Sequence, residues 1–232
     1  MGLLFLGLPE AAESEGFDRD TLDMPAKQIA LLEQVAATNQ NVVVVLSNGS
    51  VVSVAPWAKN AKGILESWLL GQASGLALAD VIFGQVSPSG KLAQSIPLDI
   101  NDDPSMLNWP GEEGHVDYGE GVFVGYRYYD TYGKSVDYPF GYGLSYATFE
   151  IADVAAKTGA NTATVTNTVT NTSAVAAAGE AGELTKLLDN ALMRMFLNTP
   201  CRSTRCPPCW AKAARRSPSS WSTSTPSSRS KG

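Results

Sequence analysis

Five carboxylates crowd one short stretch of this 232-residue chain: Glu10, Glu13, Glu15, Asp18 and Asp20, within PEAAESEGFDRD. Carboxyl groups donate and accept protons and attack electrophilic carbon, so this loop is the first candidate for chemistry. A solvated acidic loop is the competing reading. Gly16 allows the segment to turn sharply, and Phe17 would exclude water from one side. Asp18 and Arg19 are expected to form an ion pair that holds the loop.

Other chemistries find less support. His115 is the only histidine, no G-x-S-x-G elbow is present, and one histidine cannot build a zincin site. His115 is expected to be an exposed loop residue. GQVSPSGKL, from Gly84 to Leu92, imitates a phosphate-binding loop, but five residues separate its glycines and Leu92 replaces the metal-binding hydroxyl. Cys201, Cys206 and Cys209 imitate an iron–sulfur spacing without a fourth cysteine, so no metal and no cofactor is expected. A net charge of −6 argues against a nucleic-acid partner. No apolar run reaches the roughly 20 residues that span a bilayer, so no membrane partner is expected. Met1–Leu8 lacks a basic leader and runs directly into acids, so it is not read as a signal peptide, and the localisation stays unassigned.

The elements that must position the acids are legible from pattern. Leu3–Leu8 is a short apolar run punctuated by Gly7 and Pro9, which suits a core strand ending at the acidic loop. Pro25 sits as the first residue of a helix carrying Ile29, Leu31, Leu32, Val35 and Ala36, which should end near Asn39. Val42–Leu46 is a β-branched run covered on both faces, and Ser47-Asn48-Gly49-Ser50 is a turn. Gly63–Leu69 reads as another buried strand, Gln72–Phe83 as a helix lined by Leu76, Ala79, Ile82 and Phe83, and Lys91–Ile96 as a further strand ended by Pro97. This alternation predicts an α/β sandwich, mostly parallel sheet with flanking helices. Leu98–Gly143 should form long ordered loops whose tyrosines and Trp109 either pack on one another or offer flat faces to a pyranose ring. Phe149–Val154 and Asn161–Asn171 read as two strands turning at Gly159-Ala160, too few to close a sandwich of about seven. Beyond Ala174 a helix is predicted from Leu184 to Phe196. Thr199–Gly232, rich in Ser, Pro and Arg, is expected to be disordered.

GLPEAAESEGFDRDTLDMP, from Gly7 to Pro25, resembles the acid/base loop of family 3 glycoside hydrolases, the β-glucosidase and β-xylosidase group. ESWLLGQASGLALADVIFGQVSPSGKLAQSIP, from Glu66 to Pro97, resembles a later run of the same family. YGEGVFVGYRYYD and YPFGYGLSYATFE, from Tyr118 to Glu150, resemble its closing signature. The two strands after Thr148 resemble the start of its fibronectin type III-like domain. The expected organisation is therefore an incomplete α/β sandwich domain over 1–146, the start of a partial β-sandwich over 147–175, and an unassigned tail over 176–232.

The resemblance implies retaining hydrolysis of terminal β-D-glucosidic or related bonds, by two carboxyls about 5–5.5 Å apart. In enzymes with this motif the glutamate preceding Gly-aromatic-Asp-Arg is the acid/base, here Glu15, with Glu13 as the rival. A glutamate suits that task when burial or a neighbouring carboxylate raises its pKa. Phe17 and Trp109 are candidate substrate contacts. The nucleophile of the family is an aspartate on a separate barrel domain, and no residue here matches it. The isolated chain is expected to turn over aryl β-glucosides weakly or not at all. A non-catalytic sugar-binding module and an inactive fragment with an unpaired sheet edge are the alternatives.

Overall fold

The computed structural model describes residues 1–159 and 162–177. The Leu184–Phe196 helix, the three cysteines and the Ser/Pro/Arg-rich tail lie outside the described residues. Three strands, β1 (Gly2–Gly7), β2 (Val42–Ser47) and β3 (Gly63–Glu66), form a parallel sheet in the order β1-β2-β3. Helix α1 (Ala26–Thr38) makes the crossover from β1 to β2, with Pro25 as its N-cap and Asn39 as its C-cap. Pro25 has no N–H to leave unsatisfied there, and a preset φ.

One core lies between α1 and the sheet. Leu6, Leu32, Val42, Val44, Leu46, Val52, Val54 and Trp57 are all buried in it. On β2 the alternate residue Val45 is also buried, as a central parallel strand requires. β1 is different. Leu6 faces the core while Phe5, on the opposite face, is 65% exposed, and β1 pairs only with β2 among the described residues.

Several elements are shorter than pattern suggests. β3 stops at Glu66 rather than Leu69, because Trp68 takes φ +49°, a left-handed conformation that ends the extended chain. The second helix, α2, spans Ser74–Ile82, and two residues expected to line its buried face, Leu76 and Phe83, are 78% and 69% exposed. Of Lys91–Ile96 only Ile96 is paired as strand; with Pro97 it forms β4, antiparallel to β5 (Val136–Tyr138). The Lys91 ammonium instead donates to the Gly143 carbonyl, and the Leu92 backbone bonds Gly141 and Tyr142. This ties the segment to the closing signature rather than to the sheet.

Leu98–Gly143 is not all loop. Two short 3-10 turns, Ile100–Asp102 and Pro104–Leu107, and a helix, α3 (Tyr126–Tyr132), interrupt it. Asp99 and Asp103 cap the two turns through bonds to Asn101 N and Ser105 N. Strands β6 (Phe149–Thr158) and β7 (Ala163–Asn171) pair antiparallel as a hairpin. No helix among the described residues is long and apolar enough to cross a membrane.

Candidate active site

Parallel strands put their carboxyl ends on one side, and the segments leaving β1, β2 and β3 meet there. Gly7 is held in register with Ser47, and a Cβ on it would lie 2.4 Å from the Ser47 carbonyl oxygen, so only glycine fits. Gln28 of α1 secures the same point: its Oε1 accepts from Gly7 N at 3.0 Å and its Nε2 donates to Gly7 O at 2.7 Å. From Pro9 the chain makes a single turn, with Ala12 N donating to Pro9 O at 2.8 Å, and delivers the acidic loop over the end of β2.

Glu15 stands at the tip of a tight turn. Ser14 and Phe17 form an isolated antiparallel bridge, and Gly16 N donates to Ser14 Oγ at 3.2 Å. Glu15 is exposed, as is Phe17 at 53%. Trp109, 43% exposed, reaches the same loop: its indole Nε1 donates to Asp18 Oδ2 at 3.2 Å. Trp109 therefore touches, at Asp18, the loop that carries Glu15 and Phe17, although it lies 91 residues from Asp18 in the chain.

The expected Asp18–Arg19 ion pair is replaced by two separate contacts. Arg19 Nη1 donates to Ser50 Oγ at 2.8 Å and to Val51 O at 2.9 Å, while Asp18 serves the indole. Burial pulls the Arg19 guanidinium below its ordinary pKa, and Glu13 works against that.

Glu13 does not have the features of a proton donor. Its Oε2 accepts from Gly49 N at 2.8 Å, and its Oε1 accepts from Ser50 N at 2.6 Å and Ser50 Oγ at 2.9 Å. Partial burial works to raise its pKa, but the Gly49 and Ser50 donors and the Arg19 charge prevail, and the net shift is downward. A general acid needs the opposite.

Sequence reasoning missed Asn48 and Glu66. Asn48 is fully buried; its Nδ2 donates to Ser50 O at 2.8 Å and Glu66 Oε2 at 3.3 Å, while its Oδ1 has no protein partner. Glu66 closes β3, accepts from Trp68 N at 2.9 Å, and has its pKa raised by burial and by the charge of Glu13, against hydrogen bonds that lower it. Asn48-Gly49-Ser50 carries the outward signature of a turn, and only its contact with Glu13, more than 30 residues away, reveals a further role.

His115 is exposed, in a turn closed by its bridge to Glu112. Tyrosines of α3 and β5 pack on aromatic neighbours in tilted pairs: Tyr126 on Phe140 at 4.6 Å, and Tyr138 on Tyr142 at 4.9 Å between ring centres. A shallow cleft of about 350 Å³ between α1 and Trp57 includes neither Glu15 nor Trp109 in its lining.

Comparison with known proteins gives this geometry a family. Residues 1–146 match the model of the glycosyl hydrolase family 3 C-terminal domain. The chain belongs to glycosyl hydrolase family 3. An exo-α-(1→6)-L-arabinopyranosidase of Bifidobacterium longum is 92% identical over 159 residues, 68% of this chain and 21% of the relative. The thermostable β-glucosidase B of Acetivibrio thermocellus is 53% identical over 155 residues, 67% of this chain and 20% of the relative. The crystal structure of the Bifidobacterium adolescentis family 3 β-glucosidase superposes with a TM-score of 0.73 at 82% identity, covering 75% of this chain and 26% of that one. This family 3 chain thus spans about a fifth of the length of the curated relatives it matches.

Proposed function

We propose that this family 3 chain supplies the proton-donating half of a retaining glycoside hydrolysis, with Glu15 as general acid and then general base. The observation that carries this reading is the presentation of Glu15: a carboxyl on the exposed tip of a two-ended turn, beyond the carboxyl ends of the parallel strands, where open α/β sheets bind ligands. In the first step Glu15 protonates the glycosidic oxygen while a partner carboxylate bonds to the anomeric carbon and the aglycone leaves. In the second, Glu15 takes a proton from water as that water displaces the partner carboxylate. The family resemblance puts the partner on a separate barrel domain. The two carboxyls suffice for this chemistry, so it calls on no cofactor.

Phe17, two residues from Glu15, and Trp109, which bonds Asp18 of the same loop, are both exposed and are the proposed apolar faces for the flat side of a pyranose ring. The proposed substrates are pyranosides with an equatorial glycosidic oxygen, a description that fits both β-D-glucosides and the α-L-arabinopyranosides named for the relatives at 92% and 91% identity. Residues 1–146 form the sandwich portion and 147–175 the start of the following domain.

Complementation tests the reading. Mixing the chain with the remaining segment of the Bifidobacterium longum relative, the part this chain does not match, is expected to produce hydrolysis of an aryl α-L-arabinopyranoside or β-glucoside, and Glu15→Gln to reduce it by at least about 10²-fold. Full activity in Glu15→Gln would reject Glu15 as the donor. The exposed Phe17 and Trp109 favour a second reading, a sugar-binding module: calorimetric binding of glucose that survives Glu15→Ala, without complemented turnover, would support it instead.

A further inference from the structure

The geometry points to Glu13, Ser50 and Arg19 as a positioning clamp that closes both ends of the proton-donor loop onto one hydroxyl. This rests on the reading of Glu15 as the donor, but its geometry stands apart from turnover. Residues 13 and 19 bracket the turn that carries Glu15, and both converge on Ser50, more than 30 residues further along the chain. Arg19 Nη1 donates to Ser50 Oγ, and Ser50 Oγ donates in turn to Glu13 Oε1. One serine hydroxyl uses its accepting and donating capacity on the two stems of one loop.

The far side of the clamp is a backbone cradle. Gly49 N and Ser50 N, successive amides, both point at the Glu13 carboxylate at 2.8 and 2.6 Å, the arrangement of a small anion nest. Gly49 makes room for it: a Cβ there would lie 3.0 Å from Glu13 Oε1 and 3.3 Å from Leu69 Cδ1. Asn48, buried beneath, holds the cradle in shape through its bond to Ser50 O, and its other acceptor, Glu66, belongs to β3. Loop position is therefore referred to two strands of the sheet. Between the stems, support is slight: the Ser14–Phe17 bridge, the Gly16–Ser14 bond and the exposed Trp109–Asp18 contact.

Positioning matters because proton transfer needs heavy atoms within about 2.6–3.2 Å, and a displacement of about 1 Å costs up to about 10²-fold in rate. The clamp makes Glu13, Ser50 and Arg19 positioning residues that act through Glu15.

The test is ¹⁵N relaxation on the full chain, with complemented hydrolysis as a second arm. In the unsubstituted chain the amides of Gly16, Phe17 and Asp18 should have order parameters near 0.85. In Ser50→Ala they should fall below about 0.6, with the amides of β2 unchanged. Ser50→Thr, which keeps the hydroxyl, should restore them, and Gly49→Ala, which crowds the carboxylate, should repeat the loss. In the complemented assay Ser50→Ala should lower kcat about tenfold with KM unchanged. Loop amides that ignore Ser50→Ala and Gly49→Ala would overturn the clamp, as would loosening that spreads equally through β2. Clamped amides with no complemented turnover would count against Glu15 as donor and leave the clamp standing; intact turnover with insensitive amides would remove the clamp alone.

Discussion

Glu13 and Glu15, two residues apart, have opposite surroundings. One is wrapped by three donors and the other stands free at a turn. Because the folded state lowers the pKa of Glu13, its contribution is present above the unfolded value near 4.3 and is lost as pH falls through the folded value. Glu13→Ala should therefore destabilise by roughly 1 kcal/mol at pH 7, after allowance for solvent screening, and the two melting curves should converge as pH falls through the folded value. Glu66 works in the other direction. Its raised pKa means that stability falls as pH rises from the unfolded value through the folded one. Glu66→Gln should raise Tm at pH 7–8 by about 2–4 °C and flatten the pH dependence, measured by calorimetry. A Glu66→Gln protein that melts lower at pH 8 than at pH 5, as the parent should, would remove the buried charge as the cause. The residues of the motif were legible in the sequence, but their division of labour was not, because Gly49, Ser50 and Trp109 reach them from distant parts of the chain.

At the scale of elements, apolar pattern located what is central. α1, with its boundaries at Pro25 and Asn39, and β2 lie where periodicity and β-branching put them. Pattern failed where one backbone angle or one distant bond decides. Trp68 at positive φ cuts β3 short, and the Lys91–Gly143 contact draws a β-like run away from the sheet. α2 has a regular apolar stripe, yet Leu76 and Phe83 remain exposed, since periodicity reports a face to be covered and not its cover. The Gly7–Ser47 contact shows how little tolerance the site end of the sheet has. Gly7→Ala brings a Cβ to 2.4 Å from a carbonyl oxygen, and should cost about 2 kcal/mol, or 4–8 °C in Tm, with the β1 amides losing exchange protection first.

Across the whole molecule, the family assignment and the short coverage belong together. The chain matches about a fifth of its curated relatives, and within the described residues β1 offers one unpaired edge and an exposed Phe5. Such an edge templates self-association, so Phe5→Lys should reduce concentration-dependent light scattering while leaving Tm nearly unchanged. Scattering equal to that of the parent would place self-association elsewhere. On the proposed reading, this portion contributes to a shared site the exposed Glu15 on a loop that Glu13 and Arg19 tie to Ser50. The decisive measurement is hydrolysis of an aryl pyranoside by the chain complemented with a family 3 barrel, compared between parent and Glu15→Gln. Loss of at least about 10²-fold with unchanged complex formation is the predicted result, and turnover that persists in Glu15→Gln would contradict the account.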